Sequence, residues 1–240
     1  RGGSKYVRKK NIKNLNGLPL IAYTIIEAQK VFPKENIIIS TDDDQIAAVA
    51  RNYGCDIYFK RPKKLSTDKA KSYEVVLHSL NYMEKLNNKL YDKVLMLQPT
   101  SPLRKSYHIL KSLKIINERN VDSVVSIVNV SGYHPYRMKV IKNKFLKNFI
   151  DQGFEDMRPR QSLPNIFIRN GAIYLNKRKV IINEKQLVGK KVKPLIMEDY
   201  ESVNIDSIND FYLAESILKN SKWKYFALVH NYLVKKLWII

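Results

Sequence analysis

Val94-Leu95-Met96-Leu97-Gln98-Pro99-Thr100-Ser101-Pro102-Leu103-Arg104 is the stretch on which the fold turns. Four apolar residues in a row read as a strand buried on both faces, because a half-buried strand would alternate. The run makes Val94 to Leu97 the central strand of a mostly parallel sheet. It ends in a side-chain amide, two hydroxyls and an arginine. Polar donors at the carboxyl edge of such a sheet stand where these folds bind ligands. Read alone, the same residues also suit a Pro-stiffened turn followed by a helix cap.

Working outward, strand-like runs and helical patterns alternate. Ile37 to Ser40 and Cys55 to Phe59 read as strands, with a helix between them that Asp42 to Asp44 cap and Gly54 closes. Lys71 to Leu86 is helical, with Tyr73, Val76, Leu77 and Leu80 on one face. A helix near Ser106 to Asn117 precedes a strand over Ser123 to Val128. Ala172 to Leu175, Leu195 to Met197 and Ser202 to Asp206 resume strand character, and a last helix covers 208–219. The alternation predicts an α/β fold with a doubly wound, mostly parallel sheet. From Ser131 to about Leu163 the rhythm breaks into short basic and aromatic pieces, an excursion that reads as an arm for a second subunit. The division is a domain over 1–220 that includes the 132–163 excursion, followed by a basic and aromatic tail over 221–240. That tail reads as a surface helix or as a segment packed on the body or a partner.

Composition narrows the function. The 240 residues carry 43 Lys and Arg against 22 Asp and Glu, a net charge of +21. The excess is scattered Lys with no aromatic-basic platform, which argues against nucleic acid as the partner. A single cysteine, Cys55, makes no internal disulfide and points to a reducing, cytoplasmic setting. No signal peptide or membrane-spanning run is apparent in the sequence.

Chemistry gathers in the loops. Arg1-Gly2-Gly3-Ser4-Lys5, followed by Arg8-Lys9-Lys10-Asn11, has the flexible amides and flanking cations that wrap a polyphosphate. Basic tails share this composition, but Leu18-Pro19-Leu20 ties the loop directly to a core helix running through Ile21, Tyr23, Ile25, Ile26 and Ala28. Because the chain opens inside such a loop, a strand is expected ahead of it. Asn170-Gly171 puts a close-approach glycine before a strand that carries Tyr174. Asp206 ends a strand, as a divalent-cation ligand or as the cap of the last helix. Asp42, Asp43 and Asp44 read as helix caps rather than a metal cluster.

RGGSK, KKNIKNLNGLPLIAYTI, STDD, KRP, LQPTSPLR, SVVSIV, YHPYRM, PRQSLP, NGAIYL and SVNID occur in this order between residue 1 and about 219. In these motifs the chain resembles the CMP-sialate synthetases, the acylneuraminate and nonulosonate cytidylyltransferases. The resemblance implies a Rossmann-like nucleotidyltransferase fold with a small dimerisation excursion, and a homodimer. It implies that a sugar acid's anomeric hydroxyl attacks the α-phosphate of CTP, giving a CMP-sugar and pyrophosphate with Mg²⁺ as cofactor. Carried over by motif, Arg1, Ser4, Lys5 and Lys10 hold the triphosphate, with Arg1, Lys5, Lys10 and Asp206 as the catalytic group. Asn11, Arg61, Ala70 and Ser72, together with Ser4, match the nucleotide pocket. Gln98, Thr100, Ser101, Arg160, Arg169 and Tyr174 match the sugar site, and Asp206 is the metal ligand. His134 and Arg137 fall in the dimerisation region, where a lone histidine is usually structural.

Two departures stand out. Relatives carry Arg-Pro-Asn-Gly where this chain has Ile168-Arg169-Asn170-Gly171, so the arginine stands one residue along, which leaves room for a modified nonulosonic acid. A frequent Asp-x-Asp is Asn204-Ile205-Asp206 here, with one charge fewer for a metal. The alternatives are a Kdo-type or other sugar-acid nucleotidyltransferase, and a catalytically silent member acting as a basic binding protein.

Overall fold

The computed structural model describes residues 2–3, 7–130 and 132–220; Arg1, Ser4, Lys5 and the 221–240 tail lie outside the described residues. Its elements follow the predicted order closely. A short hairpin, β1 (Asn14–Leu15) and β2 (Leu18–Pro19), leads into α1 (Leu20–Gln29), whose Leu20, Ala22, Tyr23 and Ile25 are buried. Helix α2 (Asp44–Asn52) starts where Asp43 accepts from the backbone N–H of Gln45 at 2.8 Å and Ile46 at 3.1 Å. That is the capping role read from the sequence, and it satisfies donors that a helix start otherwise leaves unpaired. Gly54, at φ 78°, closes the helix in the left-handed region that glycine tolerates best.

Helix α3 (Ser72–Asn87) buries Val76, Leu80 and Met83, and β3 (Lys93–Met96) follows it. Next come α4 (Ser106–Ile116) and β4 (Ser123–Asn129). The excursion holds a hairpin, β5 (Lys139–Lys142) and β6 (Phe145–Asn148). The chain returns through β7 (Phe167–Lys177), α5 (Arg178–Ile182) and β8 (Val192–Ile196), and ends its described part in α6 (Ile208–Asn220).

The main sheet has the order β3-β7-β4-β8. β4 and β8 are parallel, and β7 runs against both β3 and β4, so three of the four strands point one way. Alternation along β3 shows the layering. Leu95 and Leu97 join apolar clusters with α1 and α4, while Val94 and Met96 join one with α3 and α5.

Three expectations change. Val94 to Leu97 is not central among the described strands: β3 sits at the sheet edge, with all four of its residues only half-buried. Ile37 to Ser40 and Cys55 to Phe59 form no strand, and Ser202 to Asp206 is a loop rather than a strand. The physical reason is shared by the first two. β3 and Ile37 to Ser40 both border one open cleft, so neither finds a strand partner across it. Cys55 is buried, and burial lifts its thiol to about 11, so it is unreactive at neutral pH. Among the described residues, no helix is long and apolar enough to cross a membrane.

Arg104, read from the sequence as a donor at the ligand edge, is instead buried inside the body at 1% exposure. Its guanidinium donates to the carbonyls of Gln98 (3.2 Å) and Ala172 (2.9 Å) and to Thr24 Oγ1 (2.7 Å). This clamps the exit of β3 to β7 and α1. Burial pulls its pKa down to about 10, with Glu27 opposing, so it stays charged. Arg104→Met strands these buried acceptors and removes one of the cations near Glu27, which keeps its ion pair with Lys30 at 2.7 Å. A loss of about 3 kcal/mol is expected, or roughly 6–12 °C in Tm for a domain of this size. Calorimetry showing an unchanged Tm would contradict the clamp.

His108 is buried in the same layer, 3.2 Å from Glu201, whose carboxylate also accepts from the Tyr107 hydroxyl. Burial lowers the imidazole pKa below its ordinary value despite Glu201. The unfolded chain therefore binds the extra proton first. Stability is expected to fall as pH drops through the ordinary histidine range near ~6.5. In pH-dependent unfolding, His108→Gln should flatten that limb, and an unchanged acid limb would assign it elsewhere.

Candidate active site

One cleft of about 940 Å³ opens along β3, α1, α3 and the Ile37 to Thr41 stretch. Its mouth is polar. Gly3, Lys10, Asn11, Thr41, Arg61, Ala70, Ser72, Gln98, Thr100, Asn204 and Asp206 all line it. The structure thus brings together most of the described residues that the sequence assigned to the triphosphate, the nucleoside and the metal, and two assigned to the sugar.

Local folding explains how they meet. Lys9 takes a left-handed turn at φ 52°, which starts a short 3₁₀ turn, Lys10–Ile12, and swings Lys10 inward. The Lys10 ammonium donates to the carbonyl of Ile205 at 2.6 Å and lies 3.4 Å from Asp206 Oδ1. The basic loop is thereby docked on a loop 195 residues away. The N–H of Ile205 donates to Thr100 O at 2.7 Å, so the loop after β3 is tied to the same junction.

On the other wall, Gly2 N–H donates to Asp42 Oδ1 at 3.1 Å, and a Cβ on Gly2 would stand 2.3 Å from Asp43 Oδ2. Only a glycine passes that close to the α2 cap. Arg61 Nε donates to Ser40 Oγ at 3.0 Å and the guanidinium also bonds the Ser40 carbonyl, joining the loop before Ser72 to the Ile37 to Thr41 stretch.

Asp206 lines the mouth with its side chain 71% exposed. Its N–H donates to Asp210 Oδ2 (3.0 Å), which also accepts from the N–H and hydroxyl of Ser207. Burial alone would raise the Asp210 carboxyl, but these hydrogen bonds prevail and hold it below its ordinary value. Asp210 is thus spent on the start of α6, and Asp206 is left facing the cleft. No group of three acidic, histidine or cysteine side chains suited to a metal occurs among the described residues.

Sequence reading weighed Asn204 only as a weaker metal ligand. In the fold its amide donates to Asp206 Oδ2 at 2.6 Å, while Oδ1 is buried with no hydrogen-bond partner among the described residues. A Cβ built on Gly171, at φ 77°, would lie 2.6 Å from Gln98 Oε1 and 3.6 Å from both Asn204 Oδ1 and Ser101 Oγ. Gln98, Ser101, Asn204 and Gly171 therefore form one polar corner. The signal in the sequence was the Asn-Gly pair, which marks a place where backbone and side chains crowd. Ser101 is buried and donates to Asn170 O at 3.2 Å. Tyr174 is buried on β7 beside Met96 and Val125. Arg160 and Arg169 are exposed and stand outside the cleft lining. His134 is structural: Nδ1 caps the N–H of Tyr136 and Nε2 lies 3.2 Å from Pro164 O.

An ammonium set against an exposed carboxylate, at the open end of an α/β sheet, supplies what nucleotidyl transfer needs: anion binding beside a seat for a cation. The fold agrees with that class. The structure matches a CMP-2-keto-3-deoxy-manno-octonic acid synthetase complexed with CTP at TM-score 0.63 and 14% identity, covering 91% of this chain and 95% of that one. It matches the 4-diphosphocytidyl-2C-methyl-D-erythritol synthase of Anaerococcus prevotii at TM-score 0.59 and 15% identity, covering 88% and 93%. The chain belongs to the cytidylyltransferase family, whose model matches residues 1–222, and it is a nucleotidyltransferase. It is 33% identical to the CMP-N,N'-diacetyllegionaminic acid synthase of Legionella pneumophila over 91% of this chain and 93% of that protein. It is 32% identical to the flagellin modification protein B of Campylobacter coli, over 91% and 92%. The N-acylneuraminate cytidylyltransferase of Escherichia coli is 32% identical over 96% of this chain but 53% of its own length.

Proposed function

We propose that the protein transfers CMP from CTP to the anomeric hydroxyl of a sialic-acid-like nonulosonic acid, releasing pyrophosphate. The observation that carries this is the convergence of Lys10, Asn11, Ser72, Gln98, Thr100 and Asp206 on one cleft. The ordered motifs and the names of the relatives support the choice of CTP and a nonulosonic acid.

The roles follow from the geometry and the motif match. Lys10, already held beside Asp206, offers its ammonium to the triphosphate, with Arg1, Ser4 and Lys5 assigned by motif. Positive charge there stabilises the charge that builds on departing pyrophosphate. Asn11, Arg61, Ala70 and Ser72 take the nucleoside. A hydroxyl and backbone groups would tell cytosine's amino edge from uracil by leaving the wrong base unpaired. Gln98 and Thr100, which line the cleft, hold the sugar, with Ser101, Tyr174, Arg160 and Arg169 assigned to it by motif. A guanidinium there would grip the sugar's carboxylate bidentately.

Asp206 fits a hard divalent cation such as Mg²⁺: an exposed carboxylate outside any group of three acidic, histidine or cysteine side chains among the described residues suits an ion that keeps several of its waters. When bound, that ion would neutralise phosphate charge and lower the attacking hydroxyl's pKa. Residues 1–220 act as one catalytic domain, in the cytoplasm, as a homodimer through 132–163. Ile141, Phe145, Leu146 and Phe149 are each more than 60% exposed on that arm, an apolar surface that favours a partner.

A panel of nonulosonic acids and Kdo, each with CTP or UTP, tests the assignment by pyrophosphate release. Turnover with an N-acylated nonulosonic acid and CTP is expected; turnover with Kdo alone would overturn the sugar assignment. Gly171→Ala sharpens the sugar corner. The new Cβ meets Gln98 Oε1 from a strained φ, so the KM for the sugar acid should rise about tenfold while the KM for CTP changes little. An equal rise in both would place Gly171 elsewhere in the reaction.

A further inference from the structure

Where Asp-x-Asp is frequent this chain has Asn204, and the exchange of a carboxylate for an amide changes what the position can hold. Its Nδ2 donates to Asp206 Oδ2 at 2.6 Å, a bond that fixes which end of the amide carries the oxygen. Oδ1 is left buried with no hydrogen-bond partner among the described residues, although Asn204 lines the cleft. A folded protein tolerates such an acceptor poorly, because it has given up water and received no donor in exchange. The oxygen borders the space over Gly171. A Cβ there would lie 3.6 Å from Asn204 Oδ1, 2.6 Å from Gln98 Oε1 and 3.6 Å from Ser101 Oγ. Ser101 already gives its proton to Asn170 O at 3.2 Å, so it meets this space with lone pairs alone. Three oxygens thus surround one point, and none of them brings a proton to it.

We propose that Asn204 binds the sugar substrate: its Oδ1 accepts a hydrogen bond from an O–H or N–H group of the sugar acid. This rests on the nonulosonic-acid reading above and adds to it which side of the sugar lies where. A corner of acceptor oxygens, one hydrogen bond from the Asp206 carboxylate, repels an anion and takes a donor. The sugar's own carboxylate therefore lies away from Gly171, and a hydroxyl or acylamino N–H enters between Gln98 and Asn204. Asp206 holds the amide before substrate arrives, so the acceptor is aimed in advance and little ordering remains on binding. One side chain then serves two partners, Nδ2 on Asp206 and Oδ1 on the sugar. An ionised aspartate at this position has no donor for Asp206 and could not hold both at once.

Steady-state kinetics with N-acetylneuraminate and N,N'-diacetyllegionaminate at saturating CTP, read beside Tm, test the assignment. Asn204→Leu keeps the shape of the side chain and removes the acceptor. The KM for the sugar acid should rise about tenfold or more, while the KM for CTP and the Mg²⁺ concentration giving half the maximal rate change little. Tm should not fall, because the variant also removes a buried acceptor that lacks a donor. Asn204→Asp keeps acceptor oxygens and should leave the sugar KM within about threefold of the parent. Analogues lacking one hydroxyl or the amide N–H identify the donor, as the one whose KM ignores Asn204→Leu. An unchanged sugar KM in Asn204→Leu, or a shifted Mg²⁺ requirement with the sugar KM spared, would overturn the assignment. So would a lower Tm with both substrate KM values raised alike, which marks a structural residue. Parent protein that turns over no sugar acid would instead remove the reading on which the assignment rests.

Discussion

Asp206→Ala is expected to lower turnover about a hundredfold or more at saturating CTP, with the folded state intact. Its side chain is largely exposed and makes a long contact to Lys10, so little folding energy is at stake. The loss falls instead on the step in which charge moves onto the leaving phosphate. Asp206 faces the cleft with its side chain largely exposed, whereas Asp210 is taken up by Ser207 and the start of α6. Asp206→Asn should keep part of the rate but shift the divalent-ion titration to higher concentration. A near-normal rate in Asp206→Ala across that titration would remove the residue from the proposed chemistry.

Lys10→Ala carries an effect of similar size, about a hundredfold in kcat/KM for CTP. In the free protein its ammonium is held by Ile205 O and Asp206, so it is positioned before nucleotide arrives and little reorganisation remains at the moment of reaction. Lys10→Arg should recover only part of the activity, because a planar guanidinium does not replace a point charge at a crowded junction. The KM for the sugar acid should stay nearly constant. If Lys10→Ala instead raised the sugar KM and spared CTP, the ammonium would belong to the sugar site. Steady-state kinetics with each substrate varied in turn separates these outcomes.

Helices were the most legible part of the sequence. Asp43, Gly54 and the apolar spacing of α3 each act within a few residues, so local chemistry decided α2 and α3 at close to their observed bounds. Strand pairing was less legible because it is not local. The run Val94 to Leu97 reports that four side chains prefer apolar surroundings, and the described sheet leaves one edge of that strand open. The insertion of β7 against its neighbours was invisible for the same reason: direction is set by which edge a returning chain finds.

The site divided along similar lines. Residues on short loops after strands or at helix starts, such as Gln98, Thr100, Ser72 and Asp206, meet in the cleft because the sheet's geometry brings them to one end. Arg104 sat in the same motif, yet its long side chain turns inward to three acceptors in the body, a choice that tertiary packing makes. The sequence marked Asn204 only as a weaker metal ligand, for the opposite reason. Its partnerless Oδ1 is a property of the folded corner with Gly171 and Gln98, and no spacing rule announces it.

Pyrophosphate release from CTP in Mg²⁺, measured with and without an N-acylated nonulosonic acid, tests the central claim most directly. The account predicts release that requires both substrates, matched mole for mole by a CMP-sugar seen by mass spectrometry. Release from CTP alone at the same rate, or CTP bound with no CMP-sugar formed from any nonulosonic acid, would contradict it.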